Sequence, residues 1–218
     1  QSIWAGGQVG KKRGRHLNHA TGFDICRKSP LMPDNRGRFG MWVFLTGDVM
    51  MFFVLFAGYA FFRFTLPDGP DATAALSRPI GFCMTLLLAG SSMAMFLSIR
   101  NLRQEHRQHL SNLLMITMAA GLSFIGLQGY EWQHLIEQGF GLSVNPFGAN
   151  QFSGLFFIIT GFHGLHVLIG IIYLLIIMIQ HHRKPPMADQ VHPIKTAGLY
   201  WQFVDGMWLF IFFGLYIL

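Results

Sequence analysis

Residues 154–173, GLFFIITGFHGLHVLIGIIY, restrict this chain more than any other stretch. The run is apolar, and a bilayer-crossing helix needs roughly 20 such residues. Yet His163 and His166 sit in its middle. Three apart on a helix, they lie on one face about one turn apart. Ionisable groups are expensive in hydrocarbon, so they face a protein interior or a polar cavity. The stretch therefore calls for other helices around it.

Four more apolar runs answer that demand. The five segments lie near 39–64, 78–100, 110–133, 151–179 and 197–218, and each reaches spanning length. The fourth is the longest and is expected to tilt or to project from the bilayer. No run alternates with period two over ten residues, as a barrel strand would. Only 12% of the 218 residues are charged, against about 25% in soluble domains. The fold class is all-α: a polytopic membrane bundle of five transmembrane helices, 39–218, behind a basic tail, 1–38.

Charge placement orients the bundle. The tail holds Lys11, Lys12, Arg13, Arg15, Arg27, Lys28, Arg36 and Arg38. Arg100, Arg103 and Arg107 lie between the second and third segments, and Arg183, Lys184 and Lys195 between the fourth and fifth. Only Arg63 and Arg78 fall on the opposite side, so the balance is fourteen to two. Basic loops stay inside, which puts the amino terminus inside and the carboxyl terminus outside. The net charge of +6 then reads as topology rather than as affinity for nucleic acid. The tail is expected to meet lipid headgroups or a neighbouring protein. It has no apolar core of the kind a secretory signal needs. Its His16, His19 and Cys26 lack finger-type metal spacing. Cys26 is expected inside and Cys83 near the outer end of the second helix, so no disulfide joins them.

Five ionisable residues fall within the apolar runs: Asp48, Glu131, His163, His166 and Asp205. Asp48 and Asp205 each lie about 12–14 Å in from the inner end of their helices. Three readings are open. In the first, the histidines hold haem or a metal. A haem between helices takes axial histidines from opposite sides, which one face of one helix does not supply. A metal on His163, Glu131 and a further acid stays open. In the second, acids and histidines form an ion or proton path, although five helices contain no inverted repeat. In the third, each polar group is partnered on another helix and the bundle is a scaffold; an unpaired central charge costs roughly 2.5–3.5 kcal/mol or more. Close helix contacts are expected at Gly90 and Ala94, at Ala119 and Ser123, and at Gly161 and Gly164.

Several of these stretches resemble one known family. FFIITGFHGLHVLIG is similar to the corresponding helix of subunit III of haem-copper terminal oxidases. YWQFVDGMWLFIFFGLYIL carries Trp201, Asp205 and Trp208 at that family's spacing. GLQGYEW resembles its Gln-to-Glu segment, through Gln128 and Glu131, and RFGMWVFLTGDVMMFF resembles the first helix of its five-helix form. The resemblance spans about residues 36–218. It implies a helical subunit with no catalytic residue, haem, copper or other metal of its own. Such a subunit packs beside catalytic subunit I and other oxidase subunits, binds phospholipid and keeps the complex active through turnover. The complex would reduce oxygen to water, with cytochrome c or quinol as donor, and pump protons. Lipid or internal polar contacts are expected at Asp48, Glu131, His163, His166, Asp205 and Arg183.

Two departures stand out. The family's first-helix carboxylate is usually Glu after Ser; here it is Asp48 after Gly47, shorter by one methylene. An Arg often stands where this chain has Gln180, which here is followed by His181, His182 and Arg183. The alternatives are the accessory subunit of a nitric oxide reductase and an independent proton-linked transporter. The short form favours a bacterial plasma membrane, although the charge pattern fits a mitochondrial inner membrane equally. Membership of a larger respiratory supercomplex is left open.

Overall fold

The structure, a computed structural model, describes residues 35–65, 76–101, 107–141, 150–183 and 191–217. The basic tail therefore lies outside the described residues except for its last four. Those four are helical rather than part of a tail. The helices are α1 (Asn35–Thr65), α2 (Arg78–Asn101), α3 (Arg107–Glu137), α4 (Asn150–Arg183) and α5 (Val191–Ile211). All five are long and apolar enough to cross a membrane.

Most helix ends extend beyond the apolar runs that announce them. Hydropathy marks only the part that lies in hydrocarbon, whereas helical hydrogen bonding continues into the polar interface. It stops where a cap or breaker ends it. At α2 the Ser77 carbonyl accepts from the Gly81 amide at 3.1 Å, closing the first turn. At α3 the stop is Gly139, with φ of 90°. Its amide donates to the Ile136 carbonyl at 2.9 Å, and that of Phe140 donates to the Leu135 carbonyl at 3.0 Å. This is a Schellman cap, whose left-handed residue favours glycine. Phe140 and Leu135 are both buried, supplying the apolar contact that accompanies such caps.

The fifth apolar run is not one continuous α-helix. After Ile211 the chain widens to π-helical pitch over Phe212–Ile217. The wider turn brings Leu215 and Tyr216 inward together.

Four helices form a ring: α2 packs on α3 and α5, and α4 packs on the same two. α1 lies outside that ring. Only 17% of its apolar window is buried, against 33% to 44% in the other four. Trp201 of α5 fills the middle of the ring and is fully enclosed. A Cβ added at Gly121 of α3 would stand 2.8 Å from its ring, and one at Gly170 of α4 would stand 3.0 Å away. Glycine at both positions lets three helices close on one indole. Lipid tails are as apolar as the helices, so close approach of this kind replaces the hydrophobic drive of a water-soluble core.

Gly121→Val is expected to destabilise the bundle by about 1–3 kcal/mol, because the added carbons overpack a rigid ring. Gly126→Ala serves as the comparison, since nothing lies within 4 Å of an added Cβ there. Thermal melting of the two purified variants should show a fall for the first and no change for the second.

Candidate functional site: buried polar joints between helices

α5 reaches α2 through side chains one or two turns apart. The Trp201 indole donates to the Ser91 hydroxyl at 3.0 Å, and Ser91 donates in turn to the Leu88 carbonyl at 2.8 Å. A hydroxyl has one proton, so the 3.4 Å approach of Ser91 to Asp205 is the weaker contact. Ser92 donates to the same Asp205 oxygen at short range. Further along, the Trp208 indole donates to the Thr85 hydroxyl at 3.1 Å. Three α5 residues thus meet three hydroxyls of α2.

α3 and α4 are joined at Thr160. The Gln128 amide donates to its carbonyl at 2.5 Å, and the Trp132 indole to its hydroxyl at 3.2 Å. Gly164 and Gly161 allow this, because an added Cβ at either would press on Gln128 or on Trp132. α3 meets the π-helical end of α5 where the Tyr216 hydroxyl donates to Glu131 at 2.5 Å. Glu131 is almost completely buried, and its other oxygen makes no well-formed hydrogen bond among the described residues.

α1 is tied in through α4. His166 Nε2 stands 3.2 Å from the Asp48 carboxylate. The distance suits an ion pair, but the alignment is not that of a hydrogen bond. Nδ1 of His166 lies 2.6 Å from the Phe162 carbonyl. A carbonyl only accepts, so Nδ1 carries a proton. Nε2 faces the carboxylate at ion-pair distance, and each gives the other a polar partner across the α1–α4 contact, which hydrocarbon would not. Phe52 of α1 packs against the His166 ring at 5.6 Å. The Tyr200 hydroxyl of α5 donates to the His166 carbonyl at 2.9 Å.

The two histidines that opened the sequence reading thus serve different places. His166 faces α1, whereas His163 is fully enclosed between Phe124 of α3 and Trp208 of α5, at ring distances of 5.4 and 5.2 Å. Neither His163 nitrogen has a partner among the described residues. Three residues on a helix still leave two side chains about 60° apart, and here that angle separates two compartments. Asp48, Glu131 and Asp205 also lie at three separate joints. Among the described residues, no three His, Cys, Asp or Glu come together as a metal-holding group. Arg183 ends α4, but its side chain is outside the described residues.

Sequence spacing misplaced some close contacts. Gly90, Ala119 and Ser123 face outward, and an added Cβ at Gly90 meets nothing within 4 Å. Spacing of small residues does not tell which face they occupy. Gly121 and Gly170, the notch for Trp201, were not marked by it. Their signal was the presence of a tryptophan that needed room. Ser91, Ser92 and Thr85 were also missed as partners, although hydroxyls in an apolar run mark interhelical hydrogen bonds.

Comparison with known proteins bears on the same segments. Residues 32–218 match the family pattern described as cytochrome c oxidase subunit III. The chain is similar to cytochrome c oxidase subunit 3 of Alkalihalophilus pseudofirmus, with 29% identity over 82% of this chain and 85% of the relative. It is similar to the probable quinol oxidase subunit 3 of Staphylococcus saprophyticus, with 31% identity over 84% and 90%. The corresponding protein of Staphylococcus aureus shows 32% over 83% and 88%.

The joint at Glu131 makes a direct test. Tyr216→Phe keeps the ring and removes the hydroxyl, leaving a buried carboxyl without that donor; the expected loss is about 1–3 kcal/mol. Tyr130→Phe, at an exposed position on the same helix as Glu131, should leave the melting temperature unchanged.

Proposed function

Because the chain belongs to the cytochrome c oxidase subunit III family, we propose that it is the non-catalytic scaffold of a proton-pumping haem-copper oxidase. It is a subunit of such a terminal oxidase, with other oxidase subunits as partners. Oxygen reduction in this reading takes place on haem and copper held by catalytic subunit I. This chain packs beside that subunit, binds phospholipid and prolongs the working life of the complex. It does so as a multi-pass protein of a bacterial plasma membrane.

One observation carries the reading. Four of the five membrane-embedded ionisable groups sit on helix joints: Asp48 with His166, Glu131 with Tyr216, and Asp205 with the two serines. Interhelical hydrogen bonds in membranes are worth about 0.6 kcal/mol each on average, with about 1.7 as a maximum. Several of them stiffen a bundle without supplying a reaction. Asp48 and His166 attach the least enclosed helix, so they are the joint on which an outward-facing surface depends.

Purification through a tag on this chain tests the proposal. The preparation should contain a haem-bearing partner, show haem bands in the visible spectrum and reduce oxygen. A colourless chain that comes alone would refute it. Asp48→Leu, which leaves His166 against an apolar side chain, should shorten the active lifetime during turnover several-fold with little change in the initial rate. An unchanged lifetime would remove α1 attachment from the account.

A further inference from the structure

A pocket of about 320 Å³ opens where the first turns of α1 and α5 meet the last turns of α2. Ligand pockets typically occupy about 300–1,000 Å³. Arg38 of α1 and Lys195 of α5 stand at its rim, and both are exposed. Met41, Ile99 and Leu199 give it an apolar wall, and Gln202 lies on the same stripe of α5, two turns beyond Lys195. Among the described residues, no carboxylate lines the pocket or pairs with either cation. The first turns of α1 and α5 contain no acidic residue. Two helix amino termini therefore add their partial positive charge to that of the two side chains.

The lining is graded. Arg38 is the fourth residue of α1 and Lys195 the fifth of α5, so the charges sit at the membrane surface. Gln202 is about 10 Å deeper along its helix, and the apolar side chains fill the interval. A free anion would be held by the rim alone and would leave the apolar wall uncovered. A molecule with a phosphate at one end and hydrocarbon at the other covers both. Basic pockets between spanning helices recognise anionic lipid headgroups in this way.

We propose that this pocket binds an anionic phospholipid. Its phosphate lies against Arg38 and Lys195, and its glycerol backbone and the roots of its acyl chains lie on Met41, Ile99 and Leu199. The site deepens the lipid-binding part of the proposed function and rests on that reading. It is separate from the Asp48–His166 joint, which lies further into the membrane.

The test uses the whole oxidase complex, stripped of lipid in detergent and then given phosphatidylglycerol, phosphatidylcholine or inorganic phosphate. Phosphatidylglycerol should raise the melting temperature of the unaltered complex by several degrees. Native mass spectrometry should show one more phosphatidylglycerol retained than in the double variant Arg38→Gln, Lys195→Gln. Arg38→Lys with Lys195→Arg should retain it. Equal retention by the double glutamine variant overturns the site. An equal shift with phosphatidylcholine overturns the requirement for an anionic headgroup, and one with inorganic phosphate overturns the lipid. Both altered residues are exposed, so the bundle should fold in every variant. Equal haem content in all of them separates a failed lipid site from a failed oxidase reading.

Discussion

The seating of Trp201 among four helices is the interaction on which the rest of the bundle depends. Its ring needs Gly121 and Gly170 to be bare, and its indole nitrogen needs Ser91. Inside a bilayer neither requirement is optional. Helices gain nothing by hiding apolar surface from lipid, so they associate through close packing and hydrogen bonds. Trp201 supplies both at one point. Once it is in place, the α5 face is set, and Asp205 and Trp208 follow on the next two turns against Ser92 and Thr85. The change to π-helical pitch then turns Tyr216 towards Glu131.

α1 obeys a different constraint. It stays outside the ring, and a histidine–carboxylate contact at 3.2 Å ties it to α4. A paired Asp can stand near lipid where a lone Asp cannot. The joint holds α1 and leaves most of its apolar surface uncovered. The same arrangement opens the basic pocket at its first turn, where α1 approaches α2 and α5 without closing on them. A loosely attached helix with a polar anchor and a cationic rim suits the role proposed for this subunit, that of meeting lipid and neighbouring chains.

Much of this was legible in the residues, and the part that was not has a physical reason. Five apolar runs announce five helices, and the family motifs lie on four of them in order. Rotation of each helix about its axis was hidden. α4 is apolar on all sides, so nothing in its pattern says that His163 faces α5 while His166 faces α1. The same blindness moved the expected close contacts to Gly90 and to Ala119 with Ser123, which face outward. Hydroxyls were a partial guide. Ser91, Ser92, Thr85 and Thr160 each meet a side chain of a partner helix, whereas Thr46 and Ser123 bond back to a carbonyl of their own helix at exposed positions.

The central claim is that this chain sustains an oxidase without taking part in its chemistry. The most direct measurement is oxygen consumption by the complex assembled without it. The account predicts an initial rate close to that of the complete complex and a much faster loss of activity during turnover. A complex that keeps its haem and copper but shows no initial rate would contradict it, and so would one that lasts as long as the complete enzyme.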